Sequence, residues 1–351
     1  MSQTMRAAVM HGPRDHRFEE RPVPVPGPGE LLVKVEHVGI CGSDMHFLQE
    51  GRLGNWVVDK PLVLGHESAG EVVALGPKVE GFSVGDKVTL EPGVPCGECS
   101  SCMTGHYNLC SKMSFMAIPD ERDGVFLEYV AHPAKMAFKL PEGVGTLEGA
   151  LCEPLSVGLY AVQKSGAWLG QTAVIFGSGC IGLVNLLVLQ AVGVKDVTVV
   201  DVIEKRLEKA LELGATKVIR GDNVDAVSVI MDDTKGQGYP LVFEAAGSPV
   251  ATLQATKVVA ANGAVVLVGM AADPVLKLDI ATLSAKEARV ETIFRYRNLY
   301  PTAIKAVQTG AIPLAKIASH IFPFDDMIAG MYYNMDHKDE VIKGVVSFVE
   351  K

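Results

Sequence analysis

Residues 172–193 read TAVIFGSGCIGLVNLLVLQAVG, a β-type run followed by a glycine-rich turn and a long apolar stretch. Within them, Gly177, Gly179 and Gly182 match G-x-G-x-x-G in the strand-turn-helix context that this motif requires. The first glycine permits a tight turn, the second lets the backbone approach a pyrophosphate, and the third allows the helix to pack closely on the strand. The stretch therefore predicts a dinucleotide site, whose contacts come from Gly177, Gly179, Cys180, Ile181 and Gly182.

The residues after this turn predict which dinucleotide binds. Asp201 lies nineteen residues beyond Gly182, at the end of the next β-type run. A carboxylate there accepts hydrogen bonds from the adenine ribose and repels a 2′-phosphate, which favours NAD over NADP. Arg206 follows five residues later and weakens this preference slightly, because its cation is attractive to a phosphate.

The rhythm of the chain around the motif indicates a parallel sheet. From about residue 153, short β-branched runs alternate with helical stretches, which is typical of βαβ units. The six candidate strands are the full number for a doubly wound dinucleotide fold. They are 172–177, 196–202, 217–221, 241–247, 263–269 and 289–294.

The chain has 351 residues, enough for two domains with separate cores. Its first part is rich in Gly, Pro and short β-type runs, which predicts a compact β-rich domain. The part from Arg295 holds two helical patterns and a terminal β-type run, too little to fold alone. We therefore expect an α/β protein with domains at 1–152 and 153–294, in which 295–351 returns to the first domain.

The charge and composition argue against several classes of partner. Lys and Arg total 32 against 41 Asp and Glu, for a net charge of -9, and no long basic run occurs. Such a surface repels nucleic acid and anionic lipid, so neither is expected as a partner. The apolar start at Ala7 to Met10 is too short for a secretory signal, which predicts a cytoplasmic protein. The uncharged stretch from Gly166 to Val194 is long enough for a membrane span, but its glycines favour a buried strand, turn and helix.

Four of the seven cysteines lie in the short loop GVPCGECSSCMTGHYNLC. In a reducing cytosol they are not expected to form disulfides, and four thiolates this close can surround one tetrahedral Zn²⁺ with no open position. A zinc finger that binds nucleic acid is disfavoured, because no Lys or Arg cluster adjoins the loop. The spacing therefore predicts a structural zinc at Cys96, Cys99, Cys102 and Cys110.

A second set of metal-binding residue types is dispersed along the chain. Cys41 lies in GICGSDMH, His66 and Glu67 in LGHE, and Cys152 and Glu153 in ALCEPLSVG. Three or four of them around one zinc, with a position left for water or substrate, would make a catalytic site. Spacing alone leaves a second interpretation open, in which the cysteines are small core residues and His66 is a hydrogen-bonded core histidine.

Together, the glycine motif, the four-cysteine loop and GHE resemble the medium-chain, zinc-dependent alcohol dehydrogenases, especially their sorbitol (L-iditol), xylitol and polyol dehydrogenase branch. The likeness extends through CGSDMHF, GRLGNWVVDKPLVLGHE, EPLSVGLYAV and FRYRNLYPTAI. It implies a GroES-like catalytic domain and a Rossmann domain, commonly assembled as a homotetramer or homodimer. It also implies oxidation of a polyol to a ketose with hydride transfer to NAD⁺.

The resemblance further implies roles for individual residues. A catalytic zinc would be held by Cys41, His66 and Glu67, with Glu153 close enough to bind the metal or its water. Asp44 would orient a zinc ligand. A proton relay from the substrate would begin at Ser43, pass through the nicotinamide ribose and end at His46. The residues that would line the polyol pocket are Phe115, Arg295 and Tyr296.

The sequence departs from the family's patterns in two places. Animal sorbitol dehydrogenases lack a complete cysteine loop, whereas this chain has all four residues. Other alcohol dehydrogenases use a cysteine ligand near Cys152, which leaves open whether that residue or Glu153 faces the zinc; EPLSVG favours Glu153. The alternatives are an L-threonine or other small secondary-alcohol dehydrogenase, and a catalytically silent protein that binds NAD and zinc.

Overall fold

A computed structural model of the chain describes residues 3–271 and 275–349. They form two compact units. The first contains the described residues up to Glu153, Tyr300–Gly310 and those from Leu314 on, and the second contains Pro154–Leu299 and Ala311–Pro313. The expected α/β class is confirmed.

The strands and helices of the two units have the following bounds. The strands are β1 (Thr4–Gly12), β2 (Asp15–Pro22), β3 (Glu30–Gly39), β4 (Arg52–Leu53), β5 (Trp56–Val57), β6 (Leu62–Val63), β7 (Glu67–Leu75), β8 (Lys87–Leu90), β9 (Gly93–Val94), β10 (Ser114–Phe115), β11 (Tyr129–Pro133), β12 (Ala137–Lys139), β13 (Thr172–Phe176), β14 (Asp196–Asp201), β15 (Lys217–Arg220), β16 (Tyr239–Glu244), β17 (Val259–Leu267), β18 (Arg289–Thr292), β19 (His320–Pro323) and β20 (Gly344–Ser347). The helices are α1 (Gly42–Glu50), α2 (Ser100–Met103), α3 (Thr146–Ser165), α4 (Cys180–Ala191), α5 (Glu204–Glu212), α6 (Ala226–Asp233), α7 (Pro249–Lys257), α8 (Ile280–Ala285), α9 (Tyr300–Gln308) and α10 (Met327–Asp336).

The first unit is built around a mixed, mainly antiparallel sheet. Its strands follow the order β12-β8-β7-β3-β20-β19, and β11 also pairs with β3. A smaller sheet has the order β2-β1-β6. Buried Val, Leu, Met and Phe side chains from these strands and from α1 and α10 form one core. The late strand β20 lies antiparallel to β3, with Val346 opposite Val38, so the end of the described chain completes a sheet that begins near its start.

The second unit is a parallel sheet in the order β15-β14-β13-β16-β17-β18. This is the doubly wound order of a dinucleotide fold, with β13 in the third place. Its central strands are buried and rich in β-branched residues, because helices cover both faces of such a sheet. All six predicted strands are present, and their ends differ from the predicted ones by at most four residues.

The largest of these differences is at β17, which begins at Val259 and not at Gly263. The predicted strand began at Gly263, the second residue of an Asn-Gly pair, and such pairs are typical of turns. In the structure Asn262 takes a φ of 55°, and its N–H donates to the carbonyl of Lys286. The strand passes through this irregularity, which also shifts its pairing with β16 between Tyr239 and Leu241.

The glycine turn between β13 and α4 is close-packed. Gly177 has a φ of 94°, and a Cβ atom there would lie 2.7 Å from the backbone nitrogen of Ala246. A Cβ on Gly182 would overlap the carbonyl oxygen of Gly177. The helix α4 that follows is buried from Gly182 to Leu189. Among the described residues, no helix has both the length and the apolar composition needed to cross a bilayer.

Gly182→Ala is therefore expected to destabilise the second unit, because its methyl group would displace the turn from the strand. We expect the free energy of unfolding to fall by about 3 kcal/mol, the upper part of the usual range for overpacking. Gly179→Ala is the matched control: Gly179 has a φ of -67°, and its Cβ would lie 3.7 Å from the Arg206 guanidinium. Urea unfolding of both variants measures the difference, and equal stabilities would contradict the close packing assigned to Gly182.

Candidate metal centres and dinucleotide site

The four loop cysteines converge on one point. Their sulfur atoms all lie within 4.8 Å of one another, and four of the pairs are separated by 3.5 to 4.0 Å. A tetrahedron with Zn–S bonds of about 2.3 Å has edges of about 3.8 Å, so the four sulfurs fit a zinc ion. Gly97 and Gly105 each take a φ of 78°, which lets the loop fold back on itself.

Backbone groups of the same loop favour the thiolate form of Cys96 and Cys99, whereas desolvation raises the pKa of the Cys102 thiol to about 12. The N–H of Cys99 points to the sulfur of Cys96 at 3.4 Å, and the N–H groups of Cys96 and Lys112 both point to the sulfur of Cys110 at the same distance. Hydrogen bonding from the backbone of Cys102 lowers the pKa of the Cys99 thiol to about 6. Thiolates are the form that binds metal.

The dispersed set also converges. The sulfur of Cys41 and the ligand atoms of His66 and Glu67 lie within 4.8 Å of one another. Cys41 directly precedes α1, His66 lies just before β7, and Glu67 begins β7 opposite Gly39 at the end of β3. His66 and Glu67 are buried, and the mixture of sulfur, nitrogen and oxygen atoms is one that zinc accepts.

Asp44 fixes the two turns that carry this cluster. Its side chain is buried, and its Oδ2 accepts the N–H of Cys41 at 2.9 Å. Its Oδ1 accepts the N–H of Gly65 at 3.1 Å and lies 3.8 Å from Nδ1 of His66. One carboxylate therefore holds the backbone beside two of the candidate ligands.

Lys343 is a buried residue that contacts the cluster, and it was not predicted from the sequence. Its Nζ donates to Oε1 of Glu67 at 2.6 Å and to the carbonyl of Ile40 at 2.9 Å. Only 3% of Lys343 is exposed, and it lies 276 residues from its partner. No local motif marks it: only the pairing of β20 with β3 brings it beside the cluster.

The remaining predicted residues of the first unit lie around this cluster or beside it. The ring centres of Phe115 and His66 are 5.6 Å apart. Glu153 is a buried residue of α3 whose negative charge acts on His66, but it is not among the atoms that lie within 4.8 Å of each other. Ser43 and His46 lie three residues apart on α1, which places them on the same side of that helix. Cys152 is fully buried, and burial raises the pKa of its thiol to about 12.

Two predicted pocket residues belong to the second unit. Arg295 takes a φ of 55°, and its guanidinium lies 4.8 Å from the ring centre of Phe294. Tyr296 is buried, with 3% of its surface exposed. Phe115, the third residue predicted to line the pocket, belongs to the first unit.

The predicted dinucleotide residues come together at the ends of β13 and β14. Oδ2 of Asp201 accepts both the N–H and the hydroxyl of Ser178, at 2.6 and 2.9 Å, and Oδ1 accepts the N–H groups of Val202 and Ile203. Asp201 thus fixes the glycine turn through Ser178, which occupies a position that the motif leaves unspecified. Gly179 caps α4, Cys180 and Ile181 begin that helix, and the Arg206 guanidinium lies beside Gly179.

Comparison with known proteins places this arrangement in a family. The family described as alcohol dehydrogenase GroES-like domain matches residues 27–142, and the zinc-binding dehydrogenase family matches 180–309. Sorbitol dehydrogenase of Bacillus subtilis is 37% identical over 344 residues, which cover 98% of this chain and 97% of that protein. This chain belongs to the zinc-type alcohol dehydrogenases. The predicted family is confirmed, and the protein is an oxidoreductase.

Solved structures of zinc-type dehydrogenases share the fold. One is an oxidoreductase of unknown specificity from Escherichia coli, with a TM-score of 0.94 and 36% identity, covering 99% of this chain and 100% of that one. Another is a zinc-binding dehydrogenase from Sinorhizobium meliloti bound to NADP, with a TM-score of 0.91 and 31% identity over 99% of this chain and 100% of that chain. The expected combination of a GroES-like and a Rossmann domain is confirmed.

Lys343→Met is expected to destabilise the metal-free form of this zinc-type dehydrogenase, because it leaves the carboxylate of Glu67 buried without its cation. Removing one partner of a buried ion pair costs about 3–5 kcal/mol, whereas an exposed pair contributes about 0–1 kcal/mol. Lys60→Met is the control, since Lys60 pairs with Asp120 where both side chains are largely exposed. Urea unfolding compares the variants with Lys343→Arg, which keeps the charge and should lose less. Equal losses for Lys343→Met and Lys60→Met would contradict the importance of the buried pair.

Proposed function

We propose that this protein oxidises a secondary alcohol of a sorbitol-, xylitol- or L-iditol-like polyol to a ketose, with hydride transfer to NAD⁺. The observation that carries the proposal is the convergence of Cys41, His66 and Glu67, with the ring of Phe115 beside His66. Cys41, His66 and Glu67 would hold a zinc ion, which would supply Lewis-acid chemistry to the hydroxyl of the substrate. Glu153, whose charge reaches His66, is proposed to bind the metal or its water.

A second zinc is proposed in the four-cysteine loop, where it has a structural role. Four thiolates leave no position for a substrate, so this ion would take no part in the chemistry. Its ligands are Cys96, Cys99, Cys102 and Cys110.

The proton released from the substrate needs a path to water, and α1 offers one. Ser43 is proposed to accept it first, and His46 to pass it on after the nicotinamide ribose. The exposures support this order, because Ser43 is partly buried while 39% of the His46 side chain is exposed. Nδ1 of His46 lies 3.8 Å from a carboxylate oxygen of Glu50, which gives the proton an acceptor at the surface.

NAD⁺ is proposed as the hydride acceptor, held by the turn Gly177, Gly179, Cys180, Ile181 and Gly182 at the start of α4. The N-terminus of a helix attracts phosphates through its unpaired N–H groups and its dipole. Asp201 supports NAD over NADP, since its carboxylate repels a 2′-phosphate. Arg206 opposes this preference in part, as the cation near Gly179.

The substrate is proposed to carry several hydroxyl groups. A polyol loses water on entering a pocket and needs polar partners there. Ser43, Glu153, Arg295 and Tyr296 supply such partners, and the ring of Phe115 can pack against the carbon skeleton. The alternative is L-threonine or another small secondary alcohol, because Arg295 is also suited to a carboxylate.

The proposal extends to the domains of the protein, its location, its oligomeric state and its partner. The sequence predicts a catalytic domain at residues 1–152 and 295–351 and an NAD-binding domain at 153–294, whereas the compact units of the structure place 295–299 with the second of these. We propose a cytoplasmic homotetramer or homodimer whose partner is a small-molecule polyol. The catalytically silent alternative is set aside, because the chain is an oxidoreductase.

Initial rates of NADH formation test the substrate and the cofactor together. We expect kcat/KM to be highest for one of sorbitol, xylitol and galactitol, and to exceed the values for L-threonine, 2,3-butanediol and 2-propanol. Arg295→Met and Tyr296→Phe should raise the polyol KM about tenfold, the effect of one lost polar contact, and leave NAD⁺ binding unchanged. A higher kcat/KM for L-threonine or 2-propanol than for every polyol would refute the substrate, and equal use of NADP⁺ would refute the role of Asp201.

A further inference from the structure

The end of strand β8 contacts both elements that carry candidate carboxylate ligands. The hydroxyl of Thr89 donates to the carbonyl of Ser68 at 3.2 Å and to the carbonyl of Gly149 at 2.7 Å. Ser68 follows Glu67 on β7, and Gly149 lies one helical turn before Glu153 on α3. The strand end therefore joins the backbone next to Glu67 to the backbone of α3 one turn before Glu153.

The next two residues are held equally firmly. The hydroxyl of Tyr300 donates to the carbonyl of Leu90 at 3.0 Å, and Nε2 of His132 contacts the carbonyl of Glu91 at the same distance. Burial lowers the pKa of His132 to about 3, so its ring is neutral and Nε2 is the protonated nitrogen that donates. The N–H of Glu91 donates to the carbonyl of Met136. With its backbone fixed on both sides, Glu91 has a defined direction for its side chain.

That side chain links the four-cysteine loop to the neighbourhood of Glu153. Glu91 is 3% exposed, and its Oε1 accepts the hydroxyl of Tyr107 at 2.7 Å. Tyr107 begins the short turn Tyr107–Leu109 that ends at Cys110. Burial, and then the negative charge of Glu153, raise the pKa of Glu91 to about 7 against the opposing effect of the Tyr107 hydroxyl. The Glu91 carboxylate is thus bonded to the loop, and two residues earlier in the chain the hydroxyl of Thr89 binds the carbonyl of Gly149 on α3.

We propose that Glu91 is a positioning residue that couples the four-cysteine loop to Glu153 through the hydroxyl of Tyr107. The inference rests on the proposed function, since it takes Glu153 as part of the catalytic centre. When the loop loses its metal, Tyr107 moves and the buried carboxylate loses its donor. Turnover then falls although Cys41, His66 and Glu67 are intact.

Tyr107→Phe tests the coupling, because it removes one hydroxyl and keeps the ring. Tyr333→Phe is the matched control: its hydroxyl donates to Glu340 at the same 2.7 Å in the same unit, and neither residue contacts the four-cysteine loop or Glu91 in the hydrogen bonds described. We expect Tyr107→Phe to lower kcat about tenfold and to speed amide hydrogen exchange in residues 146–153 about tenfold, with an unchanged KM for NAD⁺. The control should change neither kcat nor exchange.

Variants of Glu91 separate positioning from mere packing. Glu91→Gln keeps an oxygen that can accept the Tyr107 hydroxyl and should lose about twofold in kcat, whereas Glu91→Ala should lose about tenfold or more. In the Tyr107→Phe background, Glu91→Gln and Glu91→Ala should have nearly the same kcat, because the hydrogen bond to the Tyr107 hydroxyl is already absent.

The outcomes distinguish this inference from the proposed function. The coupling would be overturned if Tyr107→Phe left amide hydrogen exchange in residues 146–153 unchanged. It would also be overturned if Tyr107→Phe lowered kcat no more than Tyr333→Phe does. If no polyol is oxidised, the proposed function fails, while hydrogen exchange still decides whether Tyr107 acts on α3.

Discussion

The buried ion pair between Lys343 and Glu67 is the constraint on which the candidate catalytic centre depends. A carboxylate that is 1% exposed needs a cation or several donors, and Lys343 supplies both charge and hydrogen bond. The same ammonium group binds the carbonyl of Ile40, one residue before Cys41. Since Lys343 directly precedes β20, the pairing of this strand with β3 also sets the charge balance around Glu67. In this unit, fold and chemistry therefore depend on one contact between distant parts of the chain.

A carboxylate organises the second unit as well, by binding backbone. Asp201 accepts hydrogen bonds from Ser178 and from the N–H groups of Val202 and Ile203, so it holds the glycine turn and the start of the next loop together. Asp44 does the same for Cys41 and Gly65 in the first unit. In both cases a buried acid orients a turn, which leaves neighbouring groups directed at a ligand.

Local signals made much of this predictable from the sequence. The glycine turn, each βαβ unit of the six-stranded parallel sheet and the cysteine loop depend on spacing within about 30 residues. Such spacing can be read directly from the sequence. Lys343, Glu91 and Tyr107 were not identified, because the role of each depends on a contact across the sheet or between loops. Ser178 was missed for another reason: the motif fixes its neighbours and leaves its own side chain unspecified. The early start of β17 was missed because Asn262 and Gly263 bend the strand without ending it.

We propose that two different ligand sets hold two zinc ions and that only one of these ions supports turnover. Elemental analysis of active protein, before and after mild chelation, tests it most directly. The account predicts about two zinc ions per chain. It also predicts that chelation abolishes turnover before the protein unfolds, because a site with carboxylate ligands releases metal more readily than an all-thiolate cage. Fully active protein that contains no zinc would contradict the account.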